Sequence, residues 1–229
     1  MPRQIDIRGV IVQDDDKWVY DWLEILATSP GIVRQALMEA NGDEIVVTIN
    51  SGGGDVQAGQ EMYTLLREYS GRVTIKIQSM AASAASVVAM AGESEISPVA
   101  QLMIHNVSTR AQGDHRAMEH AAEVLRNSDR ALVNAYVAKT GRPEQEILDM
   151  MGRETWLTAQ QAVAEGFVDR VMFAESQTTG NTLQLAASYH SGLLPQETIE
   201  KIRNSFNREN AKAKAEAHYN YMILEGKIK

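Results

Sequence analysis

Three side chains in this 229-residue sequence are of the types that break acyl bonds: Ser83, His105 and Glu154. A hydroxyl attacks a carbonyl carbon once a base takes its proton, an imidazole titrating near ~6.5 suits that exchange, and a carboxylate can orient the imidazole. Each residue alone has an ordinary structural explanation. What raises the combination is the run Ser51-Gly52-Gly53-Gly54, which follows an apolar segment and can bare backbone N–H groups beside a reacting carbonyl. A serine hydrolase with an oxyanion hole is therefore the leading expectation.

Ser83 lies in Ala81-Ala82-Ser83-Ala84-Ala85, at the expected start of a buried helix following the strand Arg72–Ile77. A strand-to-helix turn leaves backbone N–H groups free, and alanines let a substrate backbone come close. The G-x-S-x-G elbow of another hydrolase fold is absent. Ser79 and Ser86 are rival nucleophiles, Ser86 one helical turn deeper. His105 follows Leu102-Met103-Ile104, at the carboxyl end of a strand, where open α/β sheets place their crevices. His115 and His120, on a polar helix, and His190 and His218, in the tail, are weaker candidates. Glu154 precedes Trp156-Leu157 and can orient an imidazole. No histidine pair beside a carboxylate has metal-ligand spacing, so no catalytic metal is expected, and acyl transfer through a serine needs no cofactor.

The elements that must position these groups read as alternating strands and helices. Strands are expected at Ile5–Val12, Glu44–Ile49, Arg72–Ile77, Gln101–Ile104 and Val168–Phe173; Glu44–Ile49 reads as buried on both faces of a parallel sheet. Helices are expected at Ile32–Ala40, Val56–Tyr69, Met80–Gly92, Asp114–Thr140, Pro143–Met151 and Thr158–Glu165, with Thr158 as N-cap and Asp14-Asp15-Asp16 as a turn. Past residue 177 the composition turns polar, so residues 1–177 form the domain and 178–229 a tail. The stretch Pro195–Lys214 is helix-prone, expected to dock on a partner or stay mobile.

Composition narrows the classes further. Hydrophobic residues at 44% and charged residues at 23% are globular values, which argues against disorder. With no cysteine, thiolate catalysis and disulfides are excluded, and a cytoplasmic setting fits. No apolar stretch reaches a membrane span, and no leader is visible. The net charge is −8, with the mildly basic tail after an acidic body, which disfavours nucleic acid as ligand.

Ile49-Asn50-Ser51-Gly52-Gly53-Gly54, Ala81-Ala82-Ser83, Met103-Ile104-His105, Gln112-Gly113, Trp156-Leu157-Thr158-Ala159 and Gly166-Phe167-Val168-Asp169 together resemble the Clp protease proteolytic subunit (ClpP) family, most closely its phage head-maturation branch. The resemblance covers about residues 44–173. It implies a ClpP/crotonase-type α/β fold of repeated β-α-β units, with a long inter-subunit helix and a C-terminal helical tail. It also implies serine endopeptidase chemistry on protein or peptide substrates: Ser83 as nucleophile, His105 as base, Glu154 in the place of the family's aspartate, and the N–H groups of Gly54 and Ala84 as oxyanion hole. By the same resemblance the helix Asp114–Thr140 builds a homo-oligomeric ring, a heptamer or double ring. Met1–Ile32 has little likeness to the family's axial loops, which makes a Clp ATPase partner doubtful. The alternatives are a crotonase-type acyl-CoA enzyme and an inactive shell or scaffold protein of the same fold.

Overall fold

Alternating isoleucine and valine residues drive the central strands to bury one face. In the computed structural model, which describes residues 2–173 and 193–207, β1 (Arg3–Ile11), β3 (Ile45–Gly54) and β4 (Val73–Ala82) run parallel in register. Ile5, Ile7, Ile45, Val47, Ile49, Ile75 and Ile77 all turn inward and are nearly inaccessible. They pack beneath α2 (Pro30–Ala40), α3 (Val56–Glu68) and α4 (Ala84–Ala89). The opposite face is polar, which corrects the expectation that Glu44–Ile49 is covered by apolar groups on both sides. Thr48 donates to Asp6 there, and Lys76 pairs with Glu95 at 2.8 Å. Over Gln4–Arg8, Val46–Asn50 and Thr74–Gln78 every second residue is polar or half-exposed, the period of two expected of a one-sided apolar face.

The sheet order is β2-β1-β3-β4-β5-β8, where β2 is Ala27–Thr28, β5 Glu93–Ile96 and β8 Arg170–Val171, all parallel. At β4 the sheet forks. Thr74–Ile77 pair with β5, while Met80–Ala82 pair with β6 (Gln101–Ile104). Strand β6 then takes β7 (Thr155–Thr158) antiparallel. The fork leaves the end of β4 and the end of β6 side by side, with Ser83 and His105 following them in the chain.

Four expectations shift. Asp14-Asp15-Asp16 is no turn; the three carboxylates form the first turn of α1 (Asp14–Trp22), where the helix dipole favours negative charge. The uncharged run Met80–Gly92 is not one helix, because β4 continues through Ala82 and α4 begins only at Ala84. Pairing with β6 overrides the weak strand propensity of its Ala and Ser. The last strand shortens from Val168–Phe173 to Arg170–Val171. Strands β2, β5 and β7 are additional to those expected from the sequence.

The long helix α5 (His115–Thr140) is capped by the Asp114 side chain and stopped by Gly141 in the left-handed region. Its second half buries Leu132, Val133 and Tyr136, whereas the first half stands exposed. After it come α6 (Glu144–Gly152) and α7 (Ala159–Ala164), the latter begun by a Thr158–Gln161 capping box. A final helix, α8, spans residues 196–207. The rest of the helix-prone stretch, to Lys214, lies outside the described residues, as do His190 and His218.

Among the described residues every buried side-chain polar atom has a hydrogen-bond partner. Tyr136 is representative: its hydroxyl meets Ser86 Oγ at 2.7 Å and its ring lies edge-on to Phe167 at 5.9 Å. Replacing Tyr136 by Phe is expected to cost about 1 kcal/mol in urea unfolding. Phe167→Ala, which empties a fully buried site, is expected to cost about 3–5 kcal/mol in the same assay. A larger loss for Tyr136→Phe than for Phe167→Ala would mean that the hydroxyl pair, not the ring packing, dominates this part of the core.

Candidate active site

Ser83 adopts φ 56 and ψ −128, a backbone conformation that non-glycine residues rarely take. The cause is the abrupt change from β4 to α4 within one residue. It is the geometry of a nucleophile elbow built on alanines instead of glycines. Strain of this kind costs about 1–3 kcal/mol and persists only where neighbours enforce it. Here Ser83 N–H donates to the Met103 carbonyl at 3.0 Å, and the Ser83 carbonyl accepts both the Ser86 N–H at 2.9 Å and the Ser86 hydroxyl at 2.6 Å. The contact with Tyr136 anchors Ser86 in turn.

The turn projects the Ser83 hydroxyl toward His105, whose Nε2 lies 2.7 Å from Ser83 Oγ. Half-buried at the end of β6, the imidazole is held below its usual titration range by burial, while the negative charges of Glu154 and Asp129 pull the other way. A neutral ring at pH 7 is the form that accepts a proton. Ser86, the rival nucleophile, is completely buried and committed to Ser83 and Tyr136. Ser79 is exposed on β4, and His115 and His120 are exposed on α5.

Gly54 and Ala84 line the same cavity as Ser83 and His105, a cleft of about 810 Å³. Ala84 opens α4, so its N–H has no carbonyl one turn back to bond to. Gly53 fits against this turn only because it lacks a side chain: at φ 89, a Cβ would lie 2.6 Å from the Ala82 carbonyl oxygen and 2.7 Å from Ser83 Cβ. The glycine run thus lets one main chain lie directly on another.

Glu154 sits at the turn after α6 with φ 50. Its carboxylate is exposed and accepts the Trp156 indole N–H at 3.2 Å; among the described residues no hydrogen bond joins it to the imidazole, although its charge reaches the ring. A second carboxylate, Asp129, was not singled out from the sequence. It is 8% exposed, accepts the Val107 N–H at 2.7 Å, and acts electrostatically on His105; burial raises its pKa against the pull of that N–H and of the imidazole. The signal was present: Leu132, Val133 and Tyr136 follow Asp129 at helical spacing, which puts its carboxylate on the buried stripe of α5.

Among the described residues no group of three or more histidine and acidic side chains is arranged to hold a metal ion, and no helix is long and apolar enough to cross a membrane.

A forked, mostly parallel sheet with a serine on a strand-to-helix elbow beside a histidine defines a ClpP/crotonase-type α/β protein. Comparison with known proteins gives the family: the pattern described as Clp protease matches residues 28–175, and the chain belongs to the Clp protease family. It is 32% identical over 139 residues to the ATP-dependent Clp protease proteolytic subunit 1 of Chlamydia caviae, covering 58% of this chain and 72% of that protein. The Chlamydia trachomatis serovar D subunit gives the same identity and coverage. A ClpP1 point mutant from Listeria monocytogenes shares the fold with a TM-score of 0.62 at 21% identity, over 76% of this chain and 92% of that one.

Because Gly53 fixes the elbow from outside, Gly53→Ala is expected to slow labelling of Ser83 by a fluorophosphonate at least about tenfold while circular dichroism stays near wild type. Labelling at the wild-type rate would show that the glycine run does not hold the nucleophile.

Proposed function

We propose that this chain is a serine endopeptidase in which Ser83, His105 and Glu154 form the catalytic set and the N–H groups of Gly54 and Ala84 form the oxyanion hole. The observation that carries the proposal is the 2.7 Å contact between Ser83 Oγ and His105 Nε2 at a strained elbow. Ser83 Oγ attacks the peptide carbonyl carbon as its proton passes to His105 Nε2, and the carbonyl oxygen gains negative charge against the two N–H groups. His105 then protonates the leaving amine, the C–N bond breaks, and an ester to Ser83 remains. A water molecule, deprotonated by His105, attacks that ester; its collapse returns the proton to Ser83. Glu154 stabilises the imidazolium that forms in both halves, acting through charge.

The thioester chemistry of a crotonase-type acyl-CoA enzyme does not call for a serine within hydrogen-bond distance of a histidine, so the observed pair favours acyl transfer to protein substrates. Assembly into a ring is part of the proposal. Support comes from α5, whose first half extends away from the core and exposes Met118 and Val124, an apolar surface that a second subunit would cover. We place the activity in the cytoplasm, on protein chains small or unfolded enough to enter such a ring.

Ser83→Ala is expected to lower peptide turnover at least about a thousand-fold with assembly unchanged, whereas Ser86→Ala keeps most of it. Mass spectrometry of a fluorophosphonate adduct checks the assignment directly; an adduct on another serine would overturn it. Glu154→Gln should lower kcat with little change in KM. Wild-type turnover in that variant would transfer the carboxylate role to Asp129.

The pH profile carries its own sign. With burial holding His105 below its ordinary value near ~6.5, the base stays neutral and active above that pH. Turnover is therefore expected to fall only as pH drops below about 6.5 and the ring becomes protonated. A rate that is half-lost already at pH 7.5 would contradict the buried-imidazole assignment.

A further inference from the structure

The polar tail was expected to dock on a partner or remain mobile, yet its described part is seated on this chain's own body, beside the cleft. Leu193–Glu197 line the same 810 Å³ cavity as Ser83 and His105. The helix that follows, α8, is fastened to α1 at both ends. Near its start the Leu194 N–H donates to the Tyr20 hydroxyl at 2.9 Å and Gln196 Nε2 donates to Asp16 at 3.3 Å. One turn on, Ile199 is 1% exposed among Val10, Val12, Val19, Tyr20 and Ala27. Further along, Arg203 pairs with Asp16 at 2.7 Å, and Phe206 lies 5.1 Å from the Trp18 ring.

This attachment is a small core of its own. Asp16 is 7% exposed, and Gln196 and Arg203 of the tail supply its hydrogen-bond and charge partners. Tyr20 is inaccessible, and its hydroxyl serves a tail N–H. A segment merely lying on the surface would not bury an isoleucine and hold a carboxylate in this way.

We infer that residues 193–197, held in place by α8, form one wall of the substrate cleft and contribute to binding a peptide side chain of apolar character. Leu193, Leu194 and Pro195 supply the apolar surface on one side; Val56 and Leu132 supply it elsewhere in the same cleft. The volume decides between a wall and a plug. With the segment docked, about 810 Å³ remains, within the range of roughly 300–1,000 Å³ typical of ligand sites. The segment therefore bounds the cleft without filling it.

The inference rests on the protease reading for its substrate class, and the test separates the two. Binding of a fluorescein-labelled, leucine-rich heptapeptide is measured by anisotropy on the full-length Ser83→Ala chain, so that no turnover intervenes. Two further substitutions are each added to it: Arg203→Glu, which sets like charges against Asp16, and Leu193→Ala, which trims an exposed cleft-lining side chain outside the small core. Arg203→Glu is expected to weaken binding about tenfold and shift the tryptophan emission as Phe206 leaves Trp18; Leu193→Ala is expected to weaken it about threefold with emission unchanged. A shifted emission with unaltered peptide affinity in Arg203→Glu would overturn the wall. So would tighter binding on undocking, which identifies a plug, and so would unaltered affinity in Leu193→Ala. If the native chain neither labels at Ser83 nor cleaves peptides while the two variants lose affinity as expected, the protease reading fails and the wall stands.

Discussion

The conformation of one residue, Ser83, governs the site. A left-handed φ at a serine between a strand and a helix is unfavourable in isolation, and four separate pieces of chain hold it there: β6 through Met103, α4 through Ser86, α5 through Tyr136 and the glycine run through Gly53. The same turn that strains the backbone places the hydroxyl 2.7 Å from His105 Nε2 and starts α4 at Ala84, which lines the cleft. The strain and the direction of the hydroxyl are thus one structural event.

Much of this was legible in the residues, and the reasons divide cleanly. The β-branched run at Glu44–Ile49 and the helical spacing of Met62, Leu65 and Leu66 act locally, so a strand and a helix appear there as expected, although β3 continues through the glycine run to Gly54. Thr158 as N-cap is likewise a short-range signal. Met80–Ala82 became strand because β6 supplies partners twenty residues away, a non-local effect that no composition of Ala, Ser and Met announces. The three aspartates of α1 were misread because turns and first helical turns favour the same residue type.

The site shows the same division. Ser83 and His105 could be chosen from their contexts, Ser83 for its small neighbours at an expected helix start and His105 because it ends a recognisable strand. Which carboxylate addresses the imidazole is a question of side-chain reach. Glu154, longer by a methylene than aspartate and placed on an exposed turn, bonds to Trp156, while Asp129 reaches the segment after His105 from beneath. The two carboxylates share the electrostatic load on the ring from opposite degrees of burial. The tail, weakly apolar in sequence, docks through a few well-placed contacts with α1 and so escaped a reading based on hydrophobic content.

The left-handed backbone at Ser83 sets durability against chemistry in this chain. Glycine is the residue that tolerates such a φ without penalty, so an evolutionary drift toward greater thermal robustness would favour Gly at position 83 and remove the hydroxyl beside His105. On the proposed reading, a serine at so uncomfortable a place trades ruggedness for reactivity. Related sequences that carry glycine there would be expected to be sturdier shells without a cutting edge.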